Sequence, residues 1–354
     1  MVLIKAKHVL ATVMILIVLA VAGGCAKPPA SPPAGDAGGH RTVTDMNGTV
    51  VTLPQEVKRV AANGAMNQFV IMLAAGDKLV ATTNGLKDNC ILAKVYPRIR
   101  EIPAPFDFLA GEVNAEELAK TKPDVVFGGN ARGNNNKLKE MGVPVVQVSL
   151  SNPEEIMQAV RVVGKVLGPP SEEKAAQFCD YYTANIRKVT DRTKSLTADQ
   201  RLKVYYAGNK PISTDGKNSI TDAWIEMGGG KNVAASGGVD GVGREVTVEN
   251  IIQWNPDVII AASRDAKAVI EKSSQWSQIN AVKNNRVYVN PKGVYLWSLR
   301  SAEEALQTLW IAKVLQPELF ADVDMALEVK NFYRSFYSYE LSDNEVSEIL
   351  NPDK

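Results

Sequence analysis

The sequence predicts an α/β protein of two similar lobes, each with a mainly parallel sheet, joined by one long rigid α-helix with a ligand cleft between them. Three observations carry this. Residues 112–129 (EVNAEELAKTKPDVVFGG) and 245–262 (EVTVENIIQWNPDVIIAA) align without a gap, so Glu116, Pro123, Asp124 and Val125 fall on Glu249, Pro256, Asp257 and Val258. Each copy reads as a polar cap (Asn114, Thr247), an amphipathic helix, a Pro-Asp turn and an apolar strand, the grammar of a parallel α/β unit. Strand and helix signals alternate around both copies, as a doubly wound sheet requires. Between the copies, one stretch from Ser171 to about Ser195 runs helical without Gly or Pro. Similar lobes enclose a cleft, and clefts at domain interfaces bind small molecules.

The chain opens with Lys5 and Lys7 before an apolar run from Val9 to Ala22. That run is shorter than the ~20 residues of a membrane span and reads as a signal-peptide core. Ala22, Gly23, Gly24 and Cys25 follow, which resembles the lipobox of bacterial lipoproteins, with alanine where leucine is more usual. Residues 1–24 are therefore expected to be a lipoprotein signal peptide and Cys25 the acylated N-terminus; an ordinary secretory signal with a chance cysteine is the plainer alternative. Residues 25–41, rich in Pro, Gly, Ala and Ser, are expected to be a disordered tether.

The first lobe is expected over 42–168. DMNGTVVTLP reads as a hairpin with a tight Asn47-Gly48 turn, RVAANG as a strand, MNQFVIMLAAG as a helix stopping at Gly76, and KLVATTNG as the next strand. The first repeat copy follows, then KLKEMGVPVVQVSL with a helix end at Gly142 and another strand. Asn152 and Pro153 open a helix whose Ile156, Met157, Val160, Val163 and Leu167 share one face, ended by Gly168-Pro169-Pro170. The bridge, expected over 169–198 with Ser171 as its cap, predicts small lobe movement. The second lobe (199–354) reads as a strand (KVYYAG), a loop, the helix TDAWIEMGGG, the loop KNVAASGGVDGVGR, the second copy, the loop PKGVYLWSLRS and terminal helices. GGGKN lacks the spacing and hydroxyl of a P-loop, and GGVDGVGRE does not fit a dinucleotide fingerprint, so both read as turns.

Composition narrows the chemistry. With 40 basic and 39 acidic residues the net charge is +1, which gives no footprint for nucleic acid. The only histidines are His8 and His40, outside both lobes, which removes histidine-based hydrolysis and zinc sites. Bare transition-metal binding, a cofactor and catalysis are accordingly not expected. Cys90 and Cys179 either pair, as an oxidising compartment permits, or stay as isolated thiols.

EELAKTKPDVVFGG, VENIIQWNPDVIIAA, TDGKNSITDAWIEMGGGKNV, AVKNNRVYVNP and the segment at Cys25 together resemble the substrate-binding lipoproteins of ABC importers for iron chelates, haem and cobalamin. The resemblance covers essentially all of the chain after Cys25. It implies Rossmann-like lobes, an extracytoplasmic lipid-anchored monomer, a metal-chelate ligand in the cleft, and docking on a dimeric permease with its cytoplasmic ATPase. It also implies that Glu116 and Glu249 meet permease arginines. The plainer reading is that each favours a helix dipole from its first turn. Capping does not demand matched positions in both lobes, whereas a symmetric partner does.

Cleft-loop candidates are Asn63, Asn84, Phe106, Phe108 and Arg132 on one side, and Ser213, Arg244, Arg264, Tyr295, Trp297 and Arg300 on the other. Arginines there would bind carboxylate or catecholate oxygens, and Tyr and Trp would cover a flat macrocycle. Singly, a solvated arginine or a packed aromatic is the plainer reading. YLWSLR stands apart, because two aromatics and an arginine crowd one loop. Siderophore, haem and corrinoid stay open as cargo. A surface-anchored enzyme, a metal-cofactor chaperone and a sensor are the rival classes.

Overall fold

The computed structural model describes residues 39–107, 112–129, 138 and 140–352. Cys25, Phe108 and Arg132 lie outside the described residues. Strands β1 (His40–Thr44) and β2 (Val50–Pro54) form the expected hairpin. It starts inside the stretch expected to be tether, because Val43, Val51 and Leu53 alternate onto one buried face. Its turn runs from Asp45 to Thr49 rather than through two residues: Asp45 Oδ1 accepts from the amides of Asn47 and Thr49, and Gly48 takes a φ of 79°.

Two four-stranded parallel sheets follow. In the first lobe β3 (Val60–Ala62), β4 (Leu79–Ala81), β5 (Val125–Gly129) and β6 (Val145–Val148) are ordered β4-β3-β5-β6. A small ribbon of β8 (Ser213–Thr214) and β10 (Arg244–Glu245) precedes the second copy. In the second lobe β7 (Leu202–Ala207), β9 (Gly230–Asn232), β11 (Val258–Ala261) and β12 (Val287–Val289) are ordered β12-β11-β7-β9. The repeat copies supply β5 and β11, the partners of β3 and β7, in matching registers that begin Val60↔Val125 and Val204↔Val258.

Three local expectations change. The helix expected to reach Gly76 spans Met66–Met72 and is reversed by Ala74, whose φ is 58°. The bridging helix spans Pro169–Thr193, with both prolines in its first turn, where a missing N–H costs nothing. Ser171 is therefore inside the helix, and its hydroxyl donates to Leu73 O at 2.9 Å instead of capping. GGGKN is only in part a turn: Gly228 and Gly229 turn, with Gly229 at φ 82°, but Gly230–Asn232 is the edge strand β9, and a Cβ on Gly230 would stand 2.9 Å from Val204 and 2.8 Å from Leu315.

The lobes share one continuous apolar core that runs from β3 through the bridging helix to β7 and β11. The terminal helices Met325–Phe332 and Asp343–Leu350, expected to belong to the second lobe, span both lobes. Phe332 packs 5.7 Å from Tyr181 of the bridge, and Lys94 of the first lobe lies 3.2 Å from Glu345. A joint packed this way resists hinge bending. Cys90 is exposed, Cys179 is buried, and both are free thiols, so they do not pair. Among the described residues, no helix is long and apolar enough to cross a membrane.

Candidate functional site

The carboxyl ends of β4, β7, β11 and β12 converge between the lobes, where open parallel sheets bind ligand. The residues following them, Gly85 and Leu86, Asn209, Ala262 to Arg264, and Asn290, line a cavity of about 450 Å³ together with Lys292, Tyr295, Leu296 and Leu299. A smaller chamber of about 200 Å³ shares Asn209, Ala262, Leu296 and Leu299 and adds Tyr206, Asp215 and Arg300. Three cations (Arg264, Lys292, Arg300) and two carboxylates (Asp88, Asp215) line the two spaces. The Asp215 carboxylate is occupied by the Gly243 amide at 2.7 Å and the Thr221 hydroxyl at 2.7 Å. Three cations against two carboxylates leave the lining with a formal charge of +1.

Arg300 stands apart within this lining. Its φ is 52°, a left-handed conformation that costs a side-chain-bearing residue about 1–2 kcal/mol. No hydrogen bond or ion pair holds its guanidinium among the described residues. Strain of this kind gathers at ligand clamps. Burial pushes the Tyr295 hydroxyl up to about 12, with Arg300 pulling the other way, so it stays neutral at physiological pH. That hydroxyl stands over Gly64, 3.9 Å from where a Cβ would be, and marks a close approach of the lobes.

The remaining sequence candidates divide. Asn63 is half-buried, and its Oδ1 accepts from the Thr83 hydroxyl at 3.2 Å. Asn84 donates its side-chain amide to Asp107 at 2.9 Å, which ties two loops of the first lobe together. Arg264 lines the large cavity but donates to Pro352 O at 3.1 and 2.7 Å, so it also anchors the chain's end. Ser213 and Arg244 sit on the β8–β10 ribbon, with Arg244 Nε donating to Asp240 O. Phe106 and Trp297 are corrected outright: both are core residues, Trp297 at 0% exposure, because YLWSLR folds its indole inward while Tyr295 and Arg300 face the cavities.

Residues 60–293 match the periplasmic binding protein family. The chain belongs to that family. A periplasmic solute-binding protein of Veillonella parvula, of known structure, is 30% identical, with a TM-score of 0.75, 88% of this chain and 97% of that one being covered. The molybdate-binding protein MolA of Haemophilus influenzae is 28% identical over 84% of this chain and 91% of its own; its molybdate-bound structure superposes with a TM-score of 0.76 at 26% identity, covering 85% and 99%. A vitamin B12-binding protein of Vibrio parahaemolyticus is 27% identical over 72% of this chain and 90% of its own. The relatives are binding proteins, so this chain is an extracytoplasmic, membrane-anchored binding protein of an ABC importer and not an enzyme.

For this binding protein, Glu116 and Glu249 occupy equivalent, exposed first-turn positions of the helices Ala115–Lys120 and Val248–Trp254. Sequence reasoning missed Asn209, Lys292 and Leu299 in the cavity wall. Gly208-Asn209 directly after the KVYYA strand was the available signal, since the carboxyl end of a parallel strand is where such a turn faces ligand.

Proposed function

We propose that the chain captures an anionic metal species, with molybdate the first candidate, and hands it to its permease. The observation that carries this is Arg300, a strained guanidinium with no hydrogen bond or ion pair among the described residues, lining the smaller chamber of the cleft. Arginine forks match oxyanions. The likeness to a molybdate-binding protein across most of both chains supports the same class. A cavity of about 450 Å³ is at the small end of the ~300–1,000 Å³ range that encloses small ligands. An anionic iron chelate presents the same oxygens and is the second reading. Haem or a corrinoid would call for an aromatic cover, and of the Tyr and Trp expected to give it Trp297 is in the core, which leaves Tyr295 alone in the cavity wall. In this reading Glu116 and Glu249 are the permease-docking pair and Cys25 carries the lipid.

Calorimetric titration of the purified protein with molybdate, tungstate, a ferric tris-catecholate, haemin and cyanocobalamin tests the proposal. One anion bound per chain is the expected result. Binding of cyanocobalamin or haemin alone would overturn it.

A further inference from the structure

Beneath the cleft, one carboxylate holds together parts that come from both lobes. Glu303 is fully buried just before the Glu304–Leu315 helix. Its Oε2 accepts from the Tyr295 amide at 2.8 Å and from Gln68 Nε2 of the first lobe at 3.0 Å. Its Oε1 accepts from the Val294 amide at 3.2 Å and from the Tyr333 hydroxyl. Gln68 returns the link by accepting from the Ala302 amide at 2.9 Å. On the other side of the same loop, Asn89 of the first lobe donates to the carbonyls of Gly293 and Val294, both at 3.0 Å. The packing admits no side chain at residue 293: a Cβ there would sit 2.1 Å from Glu303 and from Tyr333. The segment 293–295, which presents Tyr295 to the cavity, is thus gripped from above and below by groups of both lobes.

We propose that Glu303 is a positioning residue for cargo capture: its carboxylate fixes the Tyr295 wall of the cleft against the first lobe. This rests on the cleft being the binding site. Four donors converge on the carboxylate. The titratable groups around it are Tyr333 and Tyr337 from the terminal segment, Tyr295 from the loop and the adjacent Glu304, with no cation paired to it among the described residues. Burial, opposed by hydrogen bonds from Tyr333 and the two amides, raises its pKa to about 7. Release of the loop takes the two amide donors from a carboxylate that stays buried, which raises its pKa further, so protonation favours local release even though it opposes global unfolding, and the grip depends on pH in the physiological range.

Hydrogen–deuterium exchange of residues 293–295 in ligand-free protein, read beside molybdate titration, tests this. Glu303→Gln should speed exchange of that segment at least tenfold at pH 8 while leaving the sheet strands unchanged, and should weaken molybdate binding about tenfold. In the wild type, protection of the segment relative to the sheets should fall as pH drops through about 7; in E303Q it should be flat. Wild-type exchange and a wild-type pH profile in E303Q would overturn the proposal whatever binds. Should E303Q not fold, Tyr333→Phe carries the test: it must speed exchange at Val294 and weaken binding severalfold, and wild-type values there overturn the proposal. If the wild type binds no molybdate, the cargo reading fails, and the exchange experiment alone decides the positioning.

Discussion

The unit at 112–129 and the unit at 245–262 make the same backbone connections with different side chains. Asn114 and Thr247 cap their helices, accepting from Glu117 and Asn250. Asp124 and Asp257 exchange bonds with the neighbouring strand, their side chains accepting from the amides of Arg59 and Lys203 and their own amides donating to the same residues' carbonyls. Arg59 reaches back to Thr121 O and Lys122 O, and Lys203 reaches the equivalent Trp254 O. Lys122 and Asn255 take the same left-handed turn at φ 44°. The repeated aspartate is therefore explained by the fold, since each closes a strand junction. The repeated glutamate is not. Glu116 is 83% exposed and pairs only with Lys120, while Glu249 has no ion pair among the described residues. In the reading proposed above, a position kept in both copies without a shared intramolecular bond serves a partner.

The largest effect is expected where the two units' lobes join. Glu303, raised from its ordinary 4.5 to about 7 by burial, stabilises the fold fully below pH 4.5, and its contribution is lost as pH rises through 7. Relative to E303Q, wild-type unfolding free energy should fall by about 3 kcal/mol between pH 4 and pH 8, as read from urea denaturation. A single transition for both lobes should accompany it, because one core spans them.

Next come the shared aspartates. Asp124→Ala should cost about 2–3 kcal/mol and Asp257→Ala somewhat less, because Asp124 accepts from two backbone amides, Lys58 and Arg59, at 2.7 and 2.8 Å, where Asp257 accepts from the Lys203 amide at 2.9 Å and from the Asn280 side chain only at 3.4 Å. Equal urea midpoints would show that the junctions are not built as described. At the left-handed turn, Lys122→Gly should stabilise by about 1 kcal/mol, and Asn255→Gly by only a few tenths, since asparagine already tolerates that conformation.

The smallest stability change is expected at the glutamates, with the largest change in transport. Glu116→Lys and Glu249→Lys should each alter stability by under about 1 kcal/mol. Each should weaken uptake in whole cells, the pair together should abolish it, and cargo affinity of the purified protein should not move. Normal uptake by the double variant at matched protein level would return both residues to helix capping alone.

Much of this architecture was legible because its signals are local. The repeat predicted β5, β11 and their helices, Asn152 does cap its helix, and the apolar face from Ile156 to Leu167 is buried. What escaped depends on contacts distant in sequence. β9 is built from Gly, Lys and Asn, poor strand formers that pair only because β7 lies alongside. Trp297 looked like a cleft aromatic, yet only the fold shows its ring turned into the core. Glu303 carries no motif; its role appears once Gln68, Val294, Tyr295 and Tyr333 converge on it. Among the cleft candidates, chain direction selected the right loops, but which side chain of a loop faces the cavity is decided by packing.

In the proposed function the cleft binds an anion through Arg300. Titrating wild type and Arg300→Met with molybdate by calorimetry, at matched pH and salt, tests it most directly. The expected result is one site per chain in the wild type, weakened on the order of 30-fold or more in Arg300→Met, as loss of a charge-assisted bond of about 2–3 kcal/mol requires. The melting temperature of the ligand-free variant should change little, since the guanidinium loses no hydrogen bond and only its charge contact with buried Glu304. Equal affinity in the two proteins, with both folded, would contradict the account.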